Sequence, residues 1–342
     1  MAPTVAMPDG MRASACTTSV AATDFSAYWV PSLYYGLKDG TFMFAGDPDF
    51  EYTYNFAGSA DGAATSPFPD GLRMITGSPS ARGPETSLPI DRASWTCLDD
   101  NTETGGFPVD KRCKSLQAKL MFPSCSAGKA ESGDFKSHMA YPANDTCPTT
   151  HPKQVPRITF KVTWDLTVTW APAMAAQLAQ IKQPLVLSQG DATGYGWHGD
   201  FAEGWQTGVL KSMVNDCRGG SSKKRQFGGF GGRGGGGGAV SVDACPQIGV
   251  NDQQCRKTPV INQMAFGDRP IAHLPGCNVP SFGPTPQGTC SPLPPPSLVL
   301  DQSQAEIYKA DELRPFVPIA VKKKIPGARG AFLQQTCRGE GF

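Results

Sequence analysis

The sequence predicts a mainly β protein: an antiparallel β-sandwich or jelly-roll-like core with one or two short helices, held by disulfides. Three observations carry this. The segment 157–170, RITFKVTWDLTVTW, alternates strictly. Ile158, Phe160, Val162, Trp164, Leu166, Val168 and Trp170 share one face, and Thr, Lys and Asp share the other, which is the period of a half-buried strand. Short apolar and aromatic runs elsewhere are broken by Gly and Pro, as strands are by turns. Eleven cysteines are spread from Cys16 to Cys337 with no CxxC pair. That spacing disfavours zinc ribbons and thioredoxin-like redox motifs and suits a disulfide framework in an oxidising compartment.

The remaining elements follow in chain order. Residues 25–57 hold FSAYWVPSLYYG and FEYTYNF, punctuated by Pro31 and Gly36, and read as short strands. Residues 71–75 are another short run, and 117–123 a strand ending at Pro123. Met174–Lys182 has a short helical pattern, and Leu185–Leu187 reads as a strand. Trp205, Val209, Leu210, Met213 and Val214 recur at helical spacing and predict a helix over 201–216. Asp200 and Glu203 have capping-box spacing at its start. Residues 218–240 are Gly-dominated and read as a flexible insertion. Their two Arg-Gly-Gly steps and two phenylalanines resemble an RNA-binding tract but lack its repetition. From about residue 291 a Pro- and Lys-containing tail, 291–342, is expected to be poorly ordered.

Composition excludes some functions. The 342 residues carry a formal net charge of +1, so nothing favours nucleic acid, an anionic membrane or an acidic partner. No stretch is apolar and long enough to span a bilayer as a helix. The first residues lack the apolar stretch of a secretory signal, which conflicts with the cysteine pattern. The expectation is that the chain lacks its natural beginning. Asn144-Asp145-Thr146 is an N-glycosylation sequon, consistent with secretion.

The densest chemistry lies in Leu187–Trp205, LSQGDATGYGWHGDFAEGW. Asp191 and Asp200 bracket a Gly-rich loop, and acid/base cleavage of glycans needs two carboxylates. Trp197 and Tyr195 between them would stack on a sugar ring. His198, with His138 as a partner, would act as base or orienter. These four, His198, Asp200, Asp191 and His138, are the catalytic candidates, and Trp197 and Tyr195 the substrate-binding ones. The plainer reading makes Asp200 a helix cap and Asp191 a turn acid. The histidines lack HxxxH or HxH spacing, so the sequence specifies no metal and no cofactor. There is no GxSxG elbow and no phosphate-binding loop.

Several blocks recur in one order and spacing: CTTSVAATDFSAYWVPSLYY (16–35), GLRMITG (71–77), WTC (95–97), FPSC (122–125), KSHMAYP (136–142), CPTTHPKQVP (147–156), LSQGDATGYGWHGDFAEGW (187–205) and LPGC (274–277). Together they resemble the secreted fungal family of unknown function DUF1996, over about residues 14–290. The family's usual first segment, with Asp-Pro-Ile, Pro-Gly and paired histidines, is not present here. Ser126-Ala127-Gly128 replaces the family's Trp-Asp-Gly. The resemblance implies secretion, disulfides and a fungal extracellular setting, and it supplies no reaction. The expected protein is thus extracellular or cell-wall-associated, with a wall glycan as partner through binding or hydrolysis. Its competitor is a non-catalytic structural or adhesion protein of the fungal surface.

Overall fold

A computed structural model describes residues 9–14, 16–19, 21–56, 64–109, 113–167, 178, 180–216, 251 and 270–283. The architecture is mainly β and antiparallel, as the alternation predicts. A five-stranded sheet forms the base. It contains β4 (Asp49–Asn55), β6 (Ala93–Cys97), β7 (Thr102–Thr104), β8 (Ser115–Met121) and β12 (Arg157–Asp165), in the order β4-β12-β8-β6-β7. The alternating segment is β12, at the centre between β4 and β8. Ile158, Phe160, Val162 and Trp164 are all at most 1% exposed, whereas Lys161 and Thr163 face outward. The strand stops at Asp165, whose carboxylate accepts the Thr167 amide (2.9 Å) and so turns the chain. Val168 and Trp170 lie outside the described residues, as do most of the Met174–Lys182 helix candidate, the 218–240 tract and the 291–342 tail.

A second sheet packs on the first. It is built from β1 (Ala27–Trp29), β5 (Arg73–Gly77) and β14 (His198–Ala202), in the order β1-β14-β5. Side chains alternate across it. Tyr28, Phe201 and Met74 point inward and are buried. The rings of Tyr28 and Phe160 lie 5.9 Å apart, and those of Phe122 and Phe201 6.4 Å. Gly199 lets the sheets approach: a Cβ there would lie 2.8 Å from Leu120 Cδ2. Two smaller three-stranded sheets complete the core. One joins β2 (Leu33–Gly36), β3 (Phe42–Phe44) and β13 (Leu185–Leu187); the other joins β9 (Cys125–Ser126), β10 (Met139–Ala140) and β11 (Lys153–Gln154).

The helix expected over 201–216 is half right. Its second half is an α-helix, Val209–Asp216, burying Leu210, Met213 and Val214. Of its first half, Phe201 and Ala202 end β14 and 203–208 form loop and turn, so Asp200 is a strand residue and not an N-cap, and Glu203 is not the third residue of a helix. The physical reason is pairing on both sides. Asp200 lies opposite Trp29 on β1 and Ile75 on β5, and a strand between two partners satisfies more backbone groups than an extra helical turn would. Glu203 instead accepts the Gly71 and Trp205 amides, each at 2.9 Å, and pairs with Arg12 at 3.1 Å.

All six cysteines among the described residues are disulfide-bonded: Cys97 with Cys113 and Cys125 with Cys147, while Cys16 and Cys277 each take part in a further bridge. No helix among the described residues is long and apolar enough to cross a membrane.

A buried polar cluster joins the two main sheets. Asp24, 0% exposed, accepts the hydroxyls of Tyr28 (2.5 Å) and Tyr52 (3.0 Å) on Oδ2 and the Ser26 amide (2.9 Å) on Oδ1. Tyr28 gives its proton to Asp24, so Tyr54 must donate to Tyr28 (2.7 Å). The Trp205 indole in turn donates to Tyr54 (3.1 Å). Every proton in this chain points toward the carboxylate. Burial raises the Asp24 pKa, and these donors oppose the rise; burial also holds all three tyrosines well above 10.

Replacing Asp24 by Ala leaves several buried donors without an acceptor, each worth about 1–3 kcal/mol. Denaturant titration should therefore show Asp24→Ala losing at least about 3 kcal/mol. Tyr52→Phe, at the half-buried end of the cluster, should lose about 1 kcal/mol.

Candidate functional site

The loop from Ser188 to Trp197 is built around Asp191. Its Oδ1 accepts the Thr193 amide (2.8 Å) and hydroxyl (2.5 Å), and its Oδ2 accepts the Gly196 amide (2.7 Å). The Arg82 guanidinium lies 3.7 Å away, with both side chains at most 2% exposed. Arg82 also donates to the carbonyls of Pro79 and Ala81. Asp191 is thus a turn organiser held in a buried ion pair, closed off from solvent.

The glycines of this loop are spacing requirements. Gly190 (φ +86°) lies against the Val279 carbonyl and Gly194 (φ +80°) against the Phe107 amide, at 2.5 and 2.4 Å from where a Cβ would stand. The Gly194 carbonyl accepts the Trp95 indole at 2.9 Å.

The two aromatic candidates are packing residues. Trp197 is 2% exposed and meets Trp95 and Trp164 at 5.1 and 6.0 Å, and its indole donates to the Lys119 carbonyl at 3.1 Å. A side chain so enclosed offers no face to a sugar. Tyr195 is half-buried, its ring laid on Gly105 and Gly106. His138 is 2% exposed in the loop before β10. Its Nδ1 lies 2.8 Å from the Ser132 hydroxyl, which donates to Asp134 at 2.6 Å, and burial lowers its pKa. No hydrogen bond or ion pair among the described residues joins His138 to His198 or Asp200.

His198 and Asp200 are brought together. They are two apart on β14 and therefore share one face, the one turned away from the base sheet. The His198 Nδ1–H donates to the Gly196 carbonyl (2.7 Å), so Nε2 carries the lone pair. Burial pushes its pKa down to about 4, which keeps the ring neutral at ordinary pH. Asp200 is half-buried, and its Oδ1 has no hydrogen-bond partner. Burial pushes its pKa up to about 6, against the opposing pull of Lys136. Lys136, exposed, donates to the Gly77 carbonyl at 2.7 Å. Trp29, directly across from Asp200 on β1, is half-buried with its ring 5.5 Å from the imidazole.

Trp29 and Lys136 were not legible as site residues. Trp29 sits in an aromatic run that reads as core, and Lys136 is one exposed cation among many. Only the β1–β14 register reveals Trp29.

The chemistry of the face is that of a neutral base beside an unsatisfied acid. His198 Nε2 and an Asp200 oxygen could offer a metal two ligands; no third ligand joins them among the described residues. The one group of three close metal-type ligands there is Cys97, Asp99 and Cys113, whose sulfurs are bonded to each other and cannot serve as thiolates.

A family model described as "Domain of unknown function (DUF1996)" matches residues 2–205. The chain belongs to the DUF1996 family. No curated protein and no solved structure matches it. The DUF1996 match ends at Trp205, where the loop and β14 have just been completed. The LPGC block at 274–277 falls beyond it, yet docks on the same loop: Asn278 donates to the Ser188 carbonyl (3.0 Å), and Ala192 donates to that of Ser281 (3.1 Å).

The two titrations oppose each other. His198 takes a proton near 6.5 when unfolded and near 4 when folded, so acidification from 6.5 to 4 destabilises the fold. At about 1.4 kcal/mol per pH unit this is about 3 kcal/mol. Asp200 shifts the other way, from 3.8 to about 6, so acidification through that window stabilises. Denaturant titrations across pH 6.5 to 4 should therefore show Asp200→Asn losing stability more steeply than wild type, and His198→Gln less steeply. Parallel slopes in all three proteins would remove both groups from the pH response.

Proposed function

We propose that the protein is an extracellular, fungal cell-wall-associated glycan-binding protein that holds its ligand on the outward face of β14 and does not cleave it. The observation that carries this is the grouping of half-buried Trp29 and Asp200 with the buried His198 on one face of the sheet. A sugar ring offers an apolar face to an aromatic and hydroxyl protons to acceptors. The half-buried Asp200 carboxylate is such an acceptor; its unpartnered Oδ1 and the His198 ring, 5% exposed, are buried in the free protein. Lys136 supplies a donor at the rim.

Hydrolysis would need a second carboxylate flanking the bond. Asp191 is committed to Arg82, the Thr193 amide and the Gly196 amide. Among the described residues the only charged side chain that shifts Asp200 is Lys136. The disulfides and the family's secreted character support the extracellular setting.

The non-catalytic structural reading draws on a different observation, the burial of Asp191 and Trp197. That burial makes the Gly-rich loop a rigid corner and leaves the adjoining face of β14 as the working surface.

Calorimetry against soluble β-glucan and chitin oligosaccharides tests the proposal. Wild type should bind at least one of them. Trp29→Ala and Asp200→Asn should each weaken binding about ten-fold or more, the first by loss of stacked apolar area and the second on the scale of one hydrogen bond to a charged group. No reducing ends should appear. Absence of binding to any glycan would favour the purely structural role, and turnover abolished by Asp200→Asn would restore an enzyme.

A further inference from the structure

The sequon Asn144-Asp145-Thr146 plays no part in glycan binding, and it is the single Asn-x-Ser/Thr in the sequence. It forms a tight two-residue turn within the loop that joins β10 to β11. Ala143 and Thr146 exchange backbone hydrogen bonds of 2.9 and 3.0 Å. Asn144 and Asp145 between them are left-handed, with φ of 49° and 57°. Two consecutive left-handed residues make the turn that matches strand twist, and Asn and Asp are the non-glycine residues that tolerate it best. Ala143, Asn144 and Asp145 are all exposed. Cys147, the next residue after the sequon, is tied to Cys125 on β9 with Cα atoms 5.4 Å apart, which anchors the turn to β9.

We propose that Asn144 is a site of N-linked glycosylation. The donor class is an oligosaccharide on a lipid pyrophosphate. The Asn144 amide Nδ2 forms a bond to the sugar C1 and loses a proton. The bond from C1 to the pyrophosphate oxygen breaks, and the lipid pyrophosphate leaves with the electron pair. The folded structure accommodates the product without change. The acceptor stands at a turn tip, and a glycan there displaces no packed side chain among the described residues. Hydroxyl-bearing Thr146 is half-buried where the turn closes, with its Oγ1 3.5 Å from the Asn144 carbonyl. Transfer therefore acts on the chain before this turn and its neighbouring disulfide close.

This inference rests on the extracellular reading, and one experiment separates the two. The protein is recovered by antibody from the culture medium, the wall fraction and the cytosol of the organism that makes it. It is then digested with peptide N-glycosidase in heavy-oxygen water and mapped by mass spectrometry. The expected result is medium or wall protein with isotope-labelled aspartate at position 144. It should also show a gel mobility shift on deglycosylation, absent in Asn144→Asp and retained in Thr146→Ser. Asn144→Asp keeps a residue suited to the left-handed turn, so loss of the shift in a secreted variant reports the glycan and not misfolding. Secreted protein unmodified at Asn144 overturns the inference alone. Protein confined to the cytosol overturns both it and the extracellular setting.

Discussion

One buried carboxylate sets the relation between the two main sheets. Asp24 collects protons from β1, β4 and its own turn, and through Tyr54 it reaches Trp205 beyond β14. A charge at 0% exposure is tolerated only where donors surround it. The chain of hydroxyls is therefore directional, and each tyrosine has one geometry that satisfies it. β1 is placed by that requirement through Tyr28, and β14, which carries His198 and Asp200, pairs with β1.

The Gly-rich stretch that makes the family recognisable is a matter of packing. Gly190, Gly194, Gly196, Gly199 and Gly204 each have a heavy atom within 3 Å of where a Cβ would stand. Asp191 closes the loop with three hydrogen bonds and an ion pair. Kinship can thus be read from residues that only hold the backbone together. The chemistry rides on two neighbours, His198 and Asp200, which belong to the strand that follows.

How much could be read in the sequence depends on whether the signal is local. The alternation of 158–164 is local and became β12 with the expected face buried. The spacing of Val209, Leu210, Met213 and Val214 is local and became a helix. Asp200 and Glu203 also carry a local pattern, but pairing with β1 and β5 overrode it. Trp197 was misjudged because an indole has the same composition in a core as on a binding face; only its packing against Trp95 and Trp164 decides. Trp29 was missed for the converse reason, since its place beside Asp200 is set by a pairing about 170 residues away in sequence.

The cluster of Trp95, Trp164 and Trp197 has an optical consequence. The three indoles lie within 6.0 Å of one another at the seam between the base sheet and the Gly-rich loop. All are at most 2% exposed, so their emission is that of indole in an apolar medium, and energy passes readily among them. A loosening of the loop that leaves both sheets intact would admit water to this cluster first. Intrinsic fluorescence therefore reads the state of the loop before any loss of secondary structure, without a label.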